Sequence, residues 1–148
     1  PEDLSGSGAD LGAGYGYLAH QILLSNKQVD RLDLFEVEEL ALQAARKNLQ
    51  DLESSAVVGY HWHDVTTGIP PGQYDWVVMN PPFHQGHKRS LELGQRFVRL
   101  AAKGLRRDGV LYMVGNRHLP YEAILGKFLG KVRTLAATSR FKVLAAWR

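Results

Sequence analysis

The run Tyr74-Asp75-Trp76-Val77-Val78-Met79 leads directly into Asn80-Pro81-Pro82-Phe83, and that junction constrains the fold more than any other stretch. A short, mostly apolar run reads as a buried strand. Two successive prolines stop it, because each fixes φ and lacks an N–H donor. Asn80 therefore stands at a strand's C-terminal end, with its side chain and the Pro81 carbonyl free to face a cleft. In an open α/β sheet that edge is where ligands bind. An amide oxygen beside a free carbonyl can accept two hydrogen bonds from one planar –NH2 group. Phe83 can stack on the ring that carries the amine. The stretch reads as a site for methylating an exocyclic or amide nitrogen; two prolines alone would be only a loop closing a strand.

A second signal lies upstream. Ala9-Asp10-Leu11 is a very short strand after a flexible, glycine-containing lead, Ser5 to Gly8. Gly12-Ala13-Gly14-Tyr15-Gly16 follows, and Tyr17 to Leu24 continues with helical character. Strand, glycine loop and helix make a nucleotide-binding turn. A dinucleotide fingerprint would place glycine at position 17, where Tyr17 stands. The pattern is instead Asp-x-Gly-x-Gly-x-Gly, running from Asp10 through Gly12 and Gly14 to Gly16. An acidic first residue is unfavourable beside a pyrophosphate and suits an ammonium group. That favours S-adenosylmethionine over a dinucleotide.

Arg31 to Val37 reads as the next strand, with Glu36 near its end, about 20 residues past the loop, where an acidic side chain binds ribose hydroxyls. Glu38 and Glu39 fall in the first turn of a helix running through Ala41 to Leu52. Ala56 to His63 is a third strand ending at Asp64-Val65. Asp64 can accept a bond from an adenine amino group with the neighbouring backbone donating, or simply cap the loop. Thr66 to Gln73 is a Pro/Gly-rich loop. After Phe83, His84 to Arg89 reads as a mobile substrate loop, and Ser90 as the cap of a helix from Leu91 to Leu105. Arg106 to Gly109 reads as a turn, Val110 to Val114 as a fifth strand, and Pro120 as the first turn of a helix through about Leu129. Val132 to Thr138 and Phe141 to Trp147 read as a closing hairpin.

The 148 residues suffice for one domain with a sizeable core, and 45% hydrophobic composition indicates a globular chain. There is no apolar run long enough to span a membrane. The absence of cysteine excludes disulfides and thiolate metal sites and fits a cytoplasmic protein. The histidines show no dedicated metal spacing, so no metal is expected. Residues 1–83 carry 4 Lys/Arg against 12 Asp/Glu, whereas residues 84–148 carry 14 against 3. A basic second half beside an amine-binding loop fits a polyanionic partner, although basic side chains also serve merely to solvate helices.

This alternation of strands and helices with a final hairpin resembles the class I S-adenosylmethionine-dependent methyltransferase fold. Asn80 to Gly86 is similar to the turn of the ribosomal RNA small-subunit methyltransferase C family and its large-subunit relatives, which methylate the exocyclic N2 amine of a guanine. Gly115-Asn116-Arg117-His118-Leu119-Pro120-Tyr121-Glu122 and Phe141-Lys142-Val143-Leu144 strengthen the match. The resemblance implies a Rossmann-like, mostly parallel seven-stranded sheet, order 3-2-1-4-5-7-6, with helices on both faces. It implies S-adenosylmethionine as cofactor and ribosomal RNA or an assembling ribosomal subunit as partner; the oligomeric state stays open. Asp10, Gly12, Gly14 and Gly16 would form the cofactor loop. Glu36 would hold the ribose, Val37 would pack on the adenine, and Asp64 and Val65 would read its edge. Asn80 and Pro81 would hold the guanine amine, with Pro82 shaping the turn and Phe83 on the base. That family carries a preceding half, while little precedes Asp10 here. Residues 1–148 are therefore expected to be a single catalytic domain, with an N-terminal half missing or shortened. Two alternatives remain at this point: an N6-adenine or protein-glutamine methyltransferase of the same fold, and a catalytically silent RNA-binding module.

Overall fold

The computed structural model describes residues 3–81 and 87–148. Its elements are β1 (Ser5–Leu11), α1 (Tyr17–Ser25), β2 (Gln28–Glu36), α2 (Glu39–Leu49), β3 (Val57–Trp62), a 3-10 turn (Val65–Thr67), β4 (Tyr74–Met79), α3 (His87–Gly104), β5 (Leu105–Asn116), α4 (Tyr121–Phe128), β6 (Val132–Ala137) and β7 (Phe141–Trp147). The seven strands form one sheet in the order β3-β2-β1-β4-β5-β7-β6. β1 to β5 pair in parallel, and β7 is antiparallel to both of its neighbours. This is the doubly wound arrangement that the resemblance implies.

Two cores flank the sheet. On one face Ile22, Leu23, Leu42, Ala45 and Leu49 of α1 and α2 pack on Leu32, Leu34, Trp76 and Val78. On the other, Phe97, Val98 and Ala101 of α3 and Tyr121, Ile124 and Leu125 of α4 pack on Leu11, Val77, Met79, Leu111 and Met113. The period-2 alternation of the strands sends consecutive residues to opposite helix layers, so the central strands carry continuous apolar runs.

Three expectations are corrected. The lead Ser5–Gly8 is strand, not a flexible segment: β1 begins at Ser5. A Cβ on Gly8 would lie 2.2 Å from atoms of the Trp76 ring, so glycine there makes room for an indole crossing the strand. Trp76 Nε1 donates to the Ser5 carbonyl at 2.9 Å and fixes the crossing. Arg106 to Gly109 is not a free turn but the first part of β5, where the β4–β5 register shifts between Tyr74 and Trp76 and Asp108 takes φ 65°. Finally, α3 starts at His87, so His87 to Arg89 belong to a helix rather than to a loop, and Ser90 is not its cap. Residues 84–86 lie outside the described residues. Among the described residues no helix is long and apolar enough to cross a membrane.

Candidate active site

The sheet reverses its winding between β1 and β4, since the chain moves outward to β2 and β3 on one side and to β5 on the other. The crevice at the carboxyl ends of such strands is the favoured binding position. Register places the ends together: Leu11 pairs with both Phe35 and Met79, and Glu36 pairs with Trp62.

The turn after β1 is built by glycines. Gly12, Gly14 and Gly16 have φ 76°, 55° and 84°, a region that L side chains rarely adopt. The Gly12 and Ala13 N–H groups both donate to the Phe35 carbonyl, at 2.8 and 3.1 Å, which pins the turn to the end of β2. Gly16 leads into α1, and a Cβ there would lie 3.0 Å from the Ala45 Cβ of α2. Glu36 stitches the two loops together. One carboxylate oxygen accepts from the Gly14 N–H at 2.7 Å and the other from the Glu38 N–H at 2.9 Å. Each oxygen keeps a further lone pair for a ligand hydroxyl.

Asp10, the next-to-last residue of β1, is buried, and its Oδ2 has no hydrogen-bond partner among the described residues. Burial, reinforced by the Glu36 charge, pushes its carboxyl up to about 7. An isolated buried carboxylate is strongly disfavoured, so this position calls for a cation or a proton. The arrangement fits a ligand with an ammonium group.

A cleft of about 500 Å³ opens beside the turn, lined among others by Gly12, Glu36, Val37, Asp64, Val65 and Asn80. Val37 is exposed, so an apolar side chain offers a packing surface at the mouth. The exposed Trp62 indole donates to the Val37 carbonyl at 2.9 Å and steadies that rim. Asp64 does two things. Its Oδ1 accepts from the Thr66 N–H at 2.8 Å, capping the 3-10 turn, and it still borders the cleft. That bond holds its carboxyl below the usual carboxylate range. Val65 is buried against the α3-side core and anchors the turn. Asn80 is exposed and reaches the cleft from β4, while Pro81 is buried. Pro82 and Phe83 lie outside the described residues.

The structure adds Phe35, His63, Leu93 and Phe97 to the cleft wall. Phe97 and Leu93 come from α3, a long-range neighbour that periodicity marks only as a helix face. Phe35 and His63 are strand-end residues; their position after Leu34 and Trp62 was the available signal. Among the described residues no group of three or more His, Asp or Glu could hold a metal.

Comparison with known proteins places the chain among methyltransferases. Residues 1–145 match the family model described as methyltransferase small domain. The ribosomal RNA large subunit methyltransferase G of Stutzerimonas stutzeri is 38% identical over 136 residues, covering 92% of the chain and 36% of the relative. The ribosomal RNA small subunit methyltransferase C of Cronobacter sakazakii is 36% identical over 140 residues, covering 93% and 39%. The solved structure of a T. thermophilus 16S rRNA N2 methyltransferase in complex with AdoMet and guanosine superposes with a TM-score of 0.79 at 28% identity, over 96% of this chain and 37% of that one. The chain thus spans well under half the length of these relatives.

Proposed function

Because the chain belongs to the methyltransferase small-domain family, we propose that residues 1–148 form the catalytic domain of an S-adenosylmethionine-dependent methyltransferase acting on the exocyclic N2 amine of a guanine in ribosomal RNA. The observation that carries this reading is the convergence of Gly12, Glu36, Val37, Asp64 and Asn80 on one cleft at the switch point of the sheet. The names of the three relatives, all of them ribosomal RNA methyltransferases, support the substrate class.

S-adenosylmethionine, when bound, supplies an electrophilic methyl group on a sulfonium centre. The chain's own residues bind and orient. Asp10, buried and with one oxygen unpartnered among the described residues, neutralises an ammonium group beneath the glycine turn. Gly12, Gly14 and Gly16 let the ligand approach the main chain, and Glu36 accepts from ribose hydroxyls with the lone pairs it retains. Val37 packs on an adenine, and Asp64 accepts from its amino group.

Asn80 and the Pro81 carbonyl hold the target amine. In guanine the N2 lone pair is delocalised into the ring. Hydrogen bonds from both N–H groups to two fixed acceptors favour a more pyramidal nitrogen, which frees that lone pair as a nucleophile. The work of the site is positioning and electrostatics; no side chain needs to act as a base on the neutral amine, because the methylated nitrogen loses its extra proton to water after the methyl has passed from sulfur to nitrogen. A paired guanine would have to leave its stack to reach Asn80.

Asn80→Ala tests the reading. Methyl transfer from labelled S-adenosylmethionine to ribosomal RNA is expected to fall at least a hundredfold, while cofactor binding by titration calorimetry stays within about threefold. Equal transfer by the variant and the parent would refute the assignment of Asn80. A labelled product other than N2-methylguanine would redirect it to a different amine.

A further inference from the structure

The two segments that carry the family resemblance away from the cleft, 115–122 and 141–144, meet in the fold. Asn116 pairs with Phe141 across β5 and β7. The Arg117 N–H donates to the Arg140 carbonyl at 2.9 Å, and the Arg117 guanidinium donates to the Thr138 carbonyl at 2.8 Å. Thr138 closes the turn itself: its N–H donates to the Phe141 carbonyl at 2.8 Å, and its hydroxyl accepts from the Phe141 N–H at 3.0 Å. Glu122 of α4 grips Lys142 at 2.6 and 2.8 Å. The tip of the β6–β7 hairpin is therefore strapped to the end of β5 by Arg117 and to α4 by the Glu122–Lys142 pair.

This tip stands at the same sheet edge as Asn80. Met79 is level with Met113, and Asn116 continues three residues beyond it. Strand rise and spacing place Phe141 about 10 Å above that level and about 10 Å across, two strands away from β4. That is the distance of one to three nucleotides. Phe141 begins a strand yet leaves 49% of its surface exposed. Arg117, His118 and Arg140 are exposed around it. The Lys142 charge is satisfied by Glu122, but Arg117 pairs with a neutral carbonyl and has no carboxylate within ion-pair distance among the described residues. An exposed ring between guanidinium groups is the composition of a single-strand nucleic-acid platform: bases stack on the ring, and phosphates meet the cations.

We propose that Arg117, Arg140 and Phe141 form a docking surface for the nucleotides flanking the target guanine, with Phe141 stacking an unpaired base and the two arginines holding adjacent phosphates. This rests on the reading that the substrate is RNA, but it makes its own prediction, because the surface lies outside the cleft.

The test is binding of a twelve-nucleotide single-stranded RNA containing one guanine, followed by fluorescence anisotropy at several salt concentrations. Phe141→Ala is expected to weaken binding about tenfold, with Phe141→Tyr near the parent. Arg140→Gln is expected to flatten the slope of log affinity against log salt by about 0.7, and Arg140→Lys to restore it. Calorimetric binding of S-adenosylhomocysteine should be unchanged in all of them, as should methyl transfer to free guanosine. Arg117→Gln also releases the Thr138 strap, so Arg140 and Phe141, which are not asked to hold the turn by their side chains, are the decisive positions. Unchanged affinity and slope in both, with guanine still methylated, overturn the docking surface and leave the catalytic reading standing. Weakened RNA binding as described, without any guanine methylation by the parent, upholds the surface and overturns the catalytic reading. Displacement of the labelled RNA by an acidic peptide at lower concentration than by the unlabelled RNA overturns the choice of partner.

Discussion

Two buried aspartates in neighbouring strands are held in opposite states, and the difference lies in their partners. Asp33 accepts from Arg31 Nε and Nη2 at 2.9 and 2.8 Å and from the Tyr74 hydroxyl at 3.0 Å, and it lies 3.0 Å from His61 Nε2. Burial works to raise its carboxyl, but hydrogen bonds from Arg31, His61 and Tyr74 outweigh that and hold it below the usual range. A depressed carboxylate contributes stability above its unfolded value, and that stability is lost as pH falls through the folded value. Asp33→Asn is therefore expected to lower stability at pH 7 by about 2–3 kcal/mol, by chemical denaturation, with the deficit fading in strong acid. Asp10 has the opposite sign. With its carboxyl raised to about 7, the folded state binds a proton more readily than the unfolded chain does. The parent then loses stability between about pH 4 and 7, while Asp10→Asn does not. At pH 8 the variant should be the more stable, by up to about 4 kcal/mol, and equal to the parent below pH 4. The same variant should lose at least tenfold in S-adenosylmethionine affinity. Binding by the parent at pH 7 should release about half a proton per site from Asp10, read from calorimetry in buffers of different ionisation enthalpy.

At the scale of elements, the close approaches of glycines decide how strands and helices seat. Gly8→Ala would drive a Cβ into the Trp76 ring, a backbone-fixed clash in the middle of the sheet. It should cost about 3 kcal/mol with Trp76 present and clearly less in a Trp76→Leu background, so a double-mutant cycle by denaturant unfolding would show strong coupling. Additive effects would mean that β1 and β4 relax independently. Gly16→Ala combines positive φ with contact to Ala45, and a loss of about 1–2 kcal/mol together with weakened cofactor binding is expected. These contacts also explain why β1 extends through residues that look like a flexible lead. A Gly-Ser stretch has no intrinsic strand preference, and it becomes strand because Trp76 Nε1 and the Asp75 carboxylate, which accepts from the Ser7 N–H at 2.8 Å, hold its backbone. The start of β5 is the same case: Arg106 Nη1 donates to Asp75 Oδ1 at 2.7 Å and draws a turn-like sequence into the ladder.

Across the whole molecule, protection should fall from the centre of the sheet outward. β1, β4 and β5 lie between two helix layers, whereas β6 is an edge strand with most of its residues exposed. Native-state hydrogen exchange should find the slowest amides in Val77 to Met79 and Leu111 to Met113, and the fastest strand amides in β6. Saturating S-adenosylhomocysteine, at about a hundred times its dissociation constant, should add close to 2.7 kcal/mol and raise the melting temperature by several degrees. The uneven distribution of charge also acts at this scale. The acidic first half supplies β1 to β3, where the proposed cofactor residues lie. The basic second half supplies the hairpin and α3, so RNA affinity should fall steeply with salt while cofactor affinity should not.

Most strands, the glycine turn and the positions of Glu36, Asp64 and Asn80 at strand ends were legible in the sequence, because these depend on local signals: apolar runs, glycine spacing and a double proline; the strand order followed only from the resemblance to the methyltransferase fold. Those signals act over a few residues, and short βα connections carry them into a sheet of known hand. The remaining features arise from packing between distant segments. That packing made Ser5–Gly8 a strand, brought Phe97 and Leu93 to the cleft, left Asp10 Oδ2 without a hydrogen-bond partner among the described residues, and joined Arg117 to Thr138 and Glu122 to Lys142. Each of these is a contact between residues 20 or more positions apart, or the lack of one. Burial and pairing across that separation depend on packing, which no local pattern encodes.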